Sequence, residues 1–237
     1  MLTLKESKIY KLLKYVFFLW LYQILKLLKI NNQWFYLSKW IMDNKNKNLL
    51  TNYSLKRTSL VVDVGGYTGY FSDKIISKFN PRLIIYEPVK KSCKILIKKY
   101  SDNKNVKVNN YGLFNKNQLV KIYLSKDGTS LFTNSVNSNL IKLVDVSKAL
   151  KNIKRIDLMS INIEGAEYAV LEKLISTKLI NKIKYLQVQF HAFIPDAINR
   201  RKNIIKGILK THIVNYSYPF VWESFKQKDR NNHNRSS

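Results

Sequence analysis

Acids placed where strands should end carry the chemistry of this sequence. In Asp63-Val64-Gly65-Gly66-Tyr67-Thr68-Gly69, an acid and three glycines follow an apolar run. The glycines suit a tight turn that lets a ligand approach the backbone. A dinucleotide fingerprint ending at Gly69 requires glycine at position 64, where Val64 stands, so the pyrophosphate logic is missing. An acidic strand end favours a ligand with positive charge. S-adenosylmethionine, with an ammonium, a sulfonium and no phosphate, answers that description. Glu87, in Tyr86-Glu87-Pro88, stands where the next strand of such a sheet presents an acid to ribose hydroxyls. A carboxylate accepts two hydrogen bonds from a vicinal diol. Each motif alone also fits a plain strand–turn–helix or a helix cap; together they favour a nucleoside site.

Two further segments could supply reacting groups. Glu164 and Glu167 lie three residues apart in Ile163-Glu164-Gly165-Ala166-Glu167, so in a first helical turn they share a face. Acids there also stabilise the helix through its macrodipole, a purely structural role. His191 follows Gln187-Val188-Gln189-Phe190, just beyond a strand and near the same sheet edge. A histidine so placed is a candidate proton acceptor, with a structural role as the alternative.

The elements needed to position these groups are legible as alternation. Apolar runs at 59–64, 82–86, 106–110, 156–163 and 185–190 read as strands, and 69–79, 90–100, 166–177 and 196–209 as helices. A hairpin is expected from 106–110 through 120–124, and 213–218 with 220–225 form a closing strand pair. Such alternation argues for an α/β fold, a parallel sheet covered on both faces. The chain divides into an N-terminal helical segment (1–50), a main domain (51–225) and a polar, frayed tail (226–237).

In the first segment, residues 15–25 are apolar but for Gln23, bracketed by Lys14 and Lys26. That is too short for a bilayer span, which takes roughly 20 apolar residues, and no cleavage-site pattern of a signal peptide follows it. On a helix, Lys8, Lys11, Lys14, Lys26 and Lys29 fall on one side with Tyr15 and Tyr22. Leu13, Val16, Phe17, Trp20, Ile24, Leu27 and Leu28 fall opposite. This is the pattern of an interfacial membrane anchor, and equally of a helix packing its apolar face on the main domain or a second subunit. The aromatic stretch 34–42 then leads into 43–48, which reads as a polar linker.

Composition sets bounds. Hydrophobic residues make up 46% of 237, enough for a sizeable core and against wholesale disorder. The lone cysteine, Cys93, excludes a disulfide scaffold and suits a reducing, cytoplasmic setting. A net charge of +27 invites a nucleic-acid reading. However, Lys outnumbers Arg 35 to 7, and bidentate phosphate contacts would favour arginine. The charge is also spread along the chain, so nucleic acid is not the expected partner.

These motifs resemble the FkbM family of S-adenosylmethionine-dependent methyltransferases over roughly 61–225. The likeness rests on Val62 to Gly69, Tyr86-Glu87-Pro88, Ile163 to Glu167, Gln189-Phe190-His191 and Val221-Trp222-Glu223. It departs where Tyr67 replaces the usual Asn of the glycine turn, and where Asn162 and Ser160 replace an Asp and a Lys before Glu164. The resemblance implies a class I Rossmann-like methyltransferase, a seven-stranded mixed sheet with a reversed final strand. It implies methyl transfer to oxygen, often a sugar hydroxyl of a glycan or glycolipid. Asp63, Gly65, Gly66, Gly69 and Glu87 would then hold S-adenosylmethionine. His191 or Glu164 would act as base and Glu167 would orient the acceptor; oxygen methylation by a base needs no metal, and the metal requirement is open because Glu164, Glu167 and His191 could ligate one. An RNA methyltransferase, or a membrane-associated member impaired by Asn162, stands as the alternative. A peripheral contact of residues 8–29 at the inner membrane face would accord with a lipid-carried acceptor. The oligomeric state is open.

Overall fold

In the computed structural model, residues 8–28, 33–125, 128–130 and 138–229 are described. Two helices open the chain, α1 (Lys8–Leu27) and α2 (Gln33–Lys47). Strands and helices then alternate: β1 (Leu60–Val64), α3 (Tyr70–Phe79), β2 (Arg82–Tyr86), α4 (Lys90–Lys99) and β3 (Val106–Asn109). A small second sheet follows, built from β4 (Gly112–Phe114), β5 (Gln118–Ser125), β6 (Gly128–Ser130) and β7 (Ser138–Asp145). The short α5 (Val146–Ala149) leads back to β8 (Ile156–Ile161), α6 (Glu167–Ser176), β9 (Ile183–Val188) and α7 (Ala197–Ile208). β10 (His212–Tyr218) and β11 (Trp222–Gln227) close the fold.

The main sheet runs β10-β11-β9-β8-β1-β2-β3. Strands β3, β2, β1, β8 and β9 pair in parallel, while β11 is antiparallel to both β9 and β10. This is the seven-stranded mixed sheet with a reversed final strand. The order turns at β1, which has β2 on one side and β8 on the other, so the crevice for a ligand opens beyond their carboxyl ends.

Period-two alternation divides the core between the two faces. Val62 and Val64 of β1 pack with Leu171 of α6 and Ile204 and Ile208 of α7. Val61, their neighbour in the strand, points the other way, toward Ile75 of α3 and Leu96 of α4. Every one of these side chains is at most 2% exposed, so the central strands are covered on both sides.

Three local expectations are corrected. The hairpin does not join 106–110 to 120–124: β5 pairs antiparallel with β7 in the second sheet, and β3 pairs only with β2 within the main one. The polar stretch 43–48 is no linker, because α2 runs through it to Lys47. Asp43 is held there by Lys39 one turn earlier, at 2.6 Å, and by the Tyr218 hydroxyl at 2.5 Å. Residues 226 and 227 belong to β11 rather than to a tail, and the Lys228 amide donates to the Thr211 carbonyl at 3.0 Å; residues 230–237 lie outside the described residues.

α2 is fastened to the sheet edge by aromatic packing. Trp40, 7% exposed, meets Tyr216, Tyr218 and Trp222 at centroid distances of 5.8, 5.3 and 6.5 Å. α1 lies on α2, where Tyr22 stacks on Phe35 at 5.3 Å. It buries Phe18 and Leu25 and leaves Leu13, Val16, Phe17, Trp20, Leu27 and Leu28 between 52% and 81% exposed. The apolar face therefore does not pack on the main domain. Among the described residues no helix is long and apolar enough to cross a membrane.

Candidate active site

A cavity opens where the fold predicts, between the turns that follow β1, β2 and β8. Gly65, Tyr67, Glu87, Asn162 and Glu164 line its polar side. Ile122, Ile141 and Leu143 of the second sheet, with Leu113, form an apolar wall opposite. Sequence reasoning missed that wall, because it assigned the 120–124 strand to the main sheet.

Gly65 is required by geometry. Its φ is +93°, and a Cβ there would stand 2.1 Å from the backbone oxygen of Asn162. The backbone after β1 and the backbone after β8 thus touch at the cavity floor, and any larger residue would force them apart. Tyr67 and Glu164, at the rim, also hold left-handed backbone, with φ of 46° and 49°. Such conformations are costly for residues with side chains and concentrate at functional sites. Gly66 and Gly69 lie outside the cavity wall: a Cβ would meet Ile85 at the first and the Tyr100 hydroxyl at the second, each at 2.3 Å.

Glu87 lines the cavity and is 4% exposed. One oxygen accepts the Tyr67 amide at 2.7 Å and the other the Val89 amide at 2.8 Å. Burial raises its pKa, and these two amides restrain the rise. Each oxygen keeps a lone pair for a ligand. Asp63 is placed differently. Alternation along β1 turns it to the face of Val61, beneath α3, where the Ser72 hydroxyl donates to it at 2.6 Å. Burial, opposed by that bond and reinforced by the Glu87 charge, pushes its pKa up to about 7. Asp63 and Glu87 thus sense one another, but only Glu87 lines the cavity.

Asn162, read from sequence only as a departure from a pattern, is part of the wall. Its side-chain Oδ1 is buried without a hydrogen-bond partner, an arrangement that is rare and costs free energy unless a ligand completes it. Its backbone amide donates to Val64 across the β1–β8 pair.

Glu164, Glu167 and His191 come together at the rim. Glu167 is 0% exposed and accepts three N–H groups: Gly165 amide at 2.9 Å, His191 amide at 2.9 Å and His191 Nδ1 at 3.1 Å. Because both carboxylate oxygens serve as acceptors, Nδ1 carries the ring proton and Nε2 presents its lone pair outward. Nε2 stands 3.5 Å from Glu164 Oε2, and Glu164 reaches into the cavity wall. Burial lowers the His191 pKa, but the Glu167 hydrogen bond and charge, with the Glu164 charge, outweigh it and raise the value above 6.5. Glu167 is turned to its own chain, so it positions His191 and does not face an acceptor. Among the described residues no group of three or more His, Cys, Asp or Glu side chains is set to hold a metal.

On the far side of His191 lies a second groove, lined by Gln33, Gln189, Phe193 and Phe220. Gln33 belongs to α2, and its amide donates to the Phe220 backbone oxygen at 3.4 Å. The helical segment therefore contributes to the rim of the site, which no spacing in the sequence signals.

Comparison with known proteins bears on the fold and the family. A putative rRNA methylase from Clostridium thermocellum shares the fold over 78% of this chain and 95% of its own, with a TM-score of 0.51 at 13% identity. An rRNA methylase from Streptococcus thermophilus covers 79% and 96%, with a TM-score of 0.48 at 10% identity. No curated protein sequence matches the chain at a significant level. The sequence profile of the methyltransferase FkbM domain matches residues 63–229, from the acid of the glycine turn to just beyond the last strand, and the chain belongs to that family of methyltransferases.

Proposed function

We propose that this protein transfers a methyl group from S-adenosylmethionine to a sugar hydroxyl, with His191 as the base. The observation that carries the reading is the Glu167–His191–Glu164 array at the rim of the glycine-turn cavity. The cavity residues fit the cofactor on three counts. Gly65 opens the backbone, Glu87 keeps lone pairs for a diol, and the unpartnered Asn162 Oδ1 can accept from an ammonium.

When bound, the cofactor supplies an electrophilic methyl on a sulfonium: the S–C bond breaks as the O–C bond forms, and the sulfur keeps the electron pair as a thioether. What the chain itself must do is align and deprotonate the hydroxyl. His191 Nε2 takes that proton, and the imidazolium formed is stabilised by Glu167 and Glu164. Glu167 fixes the ring's tautomer and angle through Nδ1. Gln189 beside His191 and the aromatic rings of Phe193 and Phe220 suit a polyol, which offers hydroxyls to an amide and C–H faces to a ring.

The charge of the chain is compatible with this acceptor. Lys154, Arg155, Lys182, Lys184, Lys226 and Lys228 line a groove at the starts of β8 and β9, the end of the sheet remote from His191. Labelled-methyl transfer by the purified full chain into glycan, lipid, RNA and protein fractions tests the reading. Label is expected in carbohydrate-bearing material and absent with His191→Gln. Label in RNA or protein would overturn the acceptor, and undiminished transfer by His191→Gln would overturn the base.

A further inference from the structure

The exposed apolar face of α1 is the feature that the reaction leaves unexplained. Six large apolar side chains on one side of a single helix are more than half exposed, while Phe18 and Leu25 on the other side are buried on α2. The helix sequence carries lysines at 8, 11, 14 and 26 and no acid. At 100° per residue the exposed Lys14 and Lys26 fall on the side away from the apolar face, flanking the buried Phe18 and Leu25. We infer that this face is the seat of the protein on an anionic lipid bilayer, with α1 lying in the plane of the interface.

Three observations choose a bilayer over a second copy of the chain. The face is wide, continuous and includes Trp20 and Phe17, the side chains that settle at the headgroup boundary. The helix carries lysines and no acid on a chain of net charge +27, so two copies brought together would repel, whereas an anionic lipid surface complements them. The attachment also leads to the site. Gln33, five residues after Leu28 in the chain, lines the groove beside His191, and Tyr22 of α1 stacks on Phe35, two residues beyond Gln33. Seating through α1 brings the groove to the membrane surface, a step beyond the sugar-hydroxyl reading and separable from it.

The test is sedimentation of the full chain with vesicles of phosphatidylcholine containing phosphatidylglycerol, and with phosphatidylcholine alone. Binding is expected on the anionic vesicles. The pair Phe17→Ser and Trp20→Ser, both solvent-exposed, should weaken it at least about tenfold. Lys14→Glu with Lys26→Glu should weaken it about tenfold or more on anionic vesicles and little on neutral ones. S-adenosylmethionine affinity, measured by calorimetry, should stay within about twofold in both variants, which reports that the catalytic domain is folded. No association of the wild-type chain with anionic vesicles would overturn the inference. So would binding unchanged by the Phe17/Trp20 pair, or a stable dimer in dilute buffer that this pair dissolves. None of these outcomes bears on which fraction receives the methyl group.

Discussion

Glu167 offers the sharpest test of how the base is built. Its buried carboxylate holds three N–H groups, and Glu167→Gln has nearly the same shape. No orientation of the new amide satisfies all three. With its oxygen toward His191, the NH2 confronts the Gly165 amide; flipped, it confronts the His191 amide. One buried donor is stranded either way, at a cost of about 1–3 kcal/mol, and the remaining bonds lose their charge assistance. A total loss of about 2–4 kcal/mol lowers Tm by roughly 5–15 °C for a domain of this size. The effect on the imidazole is distinct. Without the Glu167 charge, burial dominates, and the His191 pKa falls from its raised value. Because the folded pKa is raised in the wild type, the stability His191 contributes is full below about 6.5 and is lost as pH rises through the folded value. In Glu167→Gln, with burial dominant, that slope should reverse, stability being lost as pH falls. The rate should rise with pH through the same raised value in the wild type and through a lower one in the variant, with kcat down about 100-fold. Titration of the ring by NMR, assigned against His191→Gln among the three histidines, needs no acceptor. An unmoved His191 titration in folded Glu167→Gln would refute the assignment of Glu167 as the group that charges and orients the ring.

The other sites give simpler outcomes. Glu87→Gln should weaken S-adenosylmethionine binding by about 10–100-fold, the worth of a charged hydrogen bond, as read by calorimetry; unchanged affinity would remove Glu87 from the cofactor site. Asn162→Ala removes an acceptor that has no partner, so Tm without cofactor should hold or rise while cofactor affinity falls about tenfold. Gly65→Ala forces φ +93° on a residue with a Cβ, about 1–2 kcal/mol before its clash with Asn162, and should abolish cofactor binding in whatever fraction folds. Asp63, with its folded pKa near 7, binds a proton more tightly folded than unfolded, so stability should decline between about pH 4 and 7. Denaturant melts of Asp63→Asn over that range should lack this decline.

The sheet was legible because central strands announce themselves twice, by apolar runs and by the acids and glycines at their ends. Val61 to Glu87 could be placed almost residue by residue. What the sequence hid followed from contacts between distant segments. Asp63 looked like a ligand group because it ends a strand, yet one step of pleat turns it beneath Ser72. Asn162 looked like a loss, because only the folded wall reveals an acceptor left open. The second sheet was misassigned because β5 finds its partner in β7, across residues with no pattern of their own. Polarity at 43–48 suggested a linker, but α2 needs only one apolar stripe, and Trp40 supplies its anchor. Glu164 and His191 were named from position alone. That they meet depends on Gly165 and on Glu167, whose acidity had two equally good explanations until its three donors were known.

The pairing of β1 with β8 has a consequence for how the molecule comes into being. Leu60 and Asp157, hydrogen-bonded across that pair, are 97 residues apart in the chain. The Gly65 turn and the Asn162 wall therefore face each other only after the whole intervening segment, second sheet included, has been gathered in. Contacts of such separation form late and slowly. A chain arrested partway, with β1 to β3 joined and β8 still loose, has no cavity and no affinity for cofactor. Ligand present during synthesis can stabilise only the finished arrangement, by about 2.7 kcal/mol at a hundredfold excess over Kd. Cofactor supply would then govern how many chains complete folding, as well as how fast completed ones turn over.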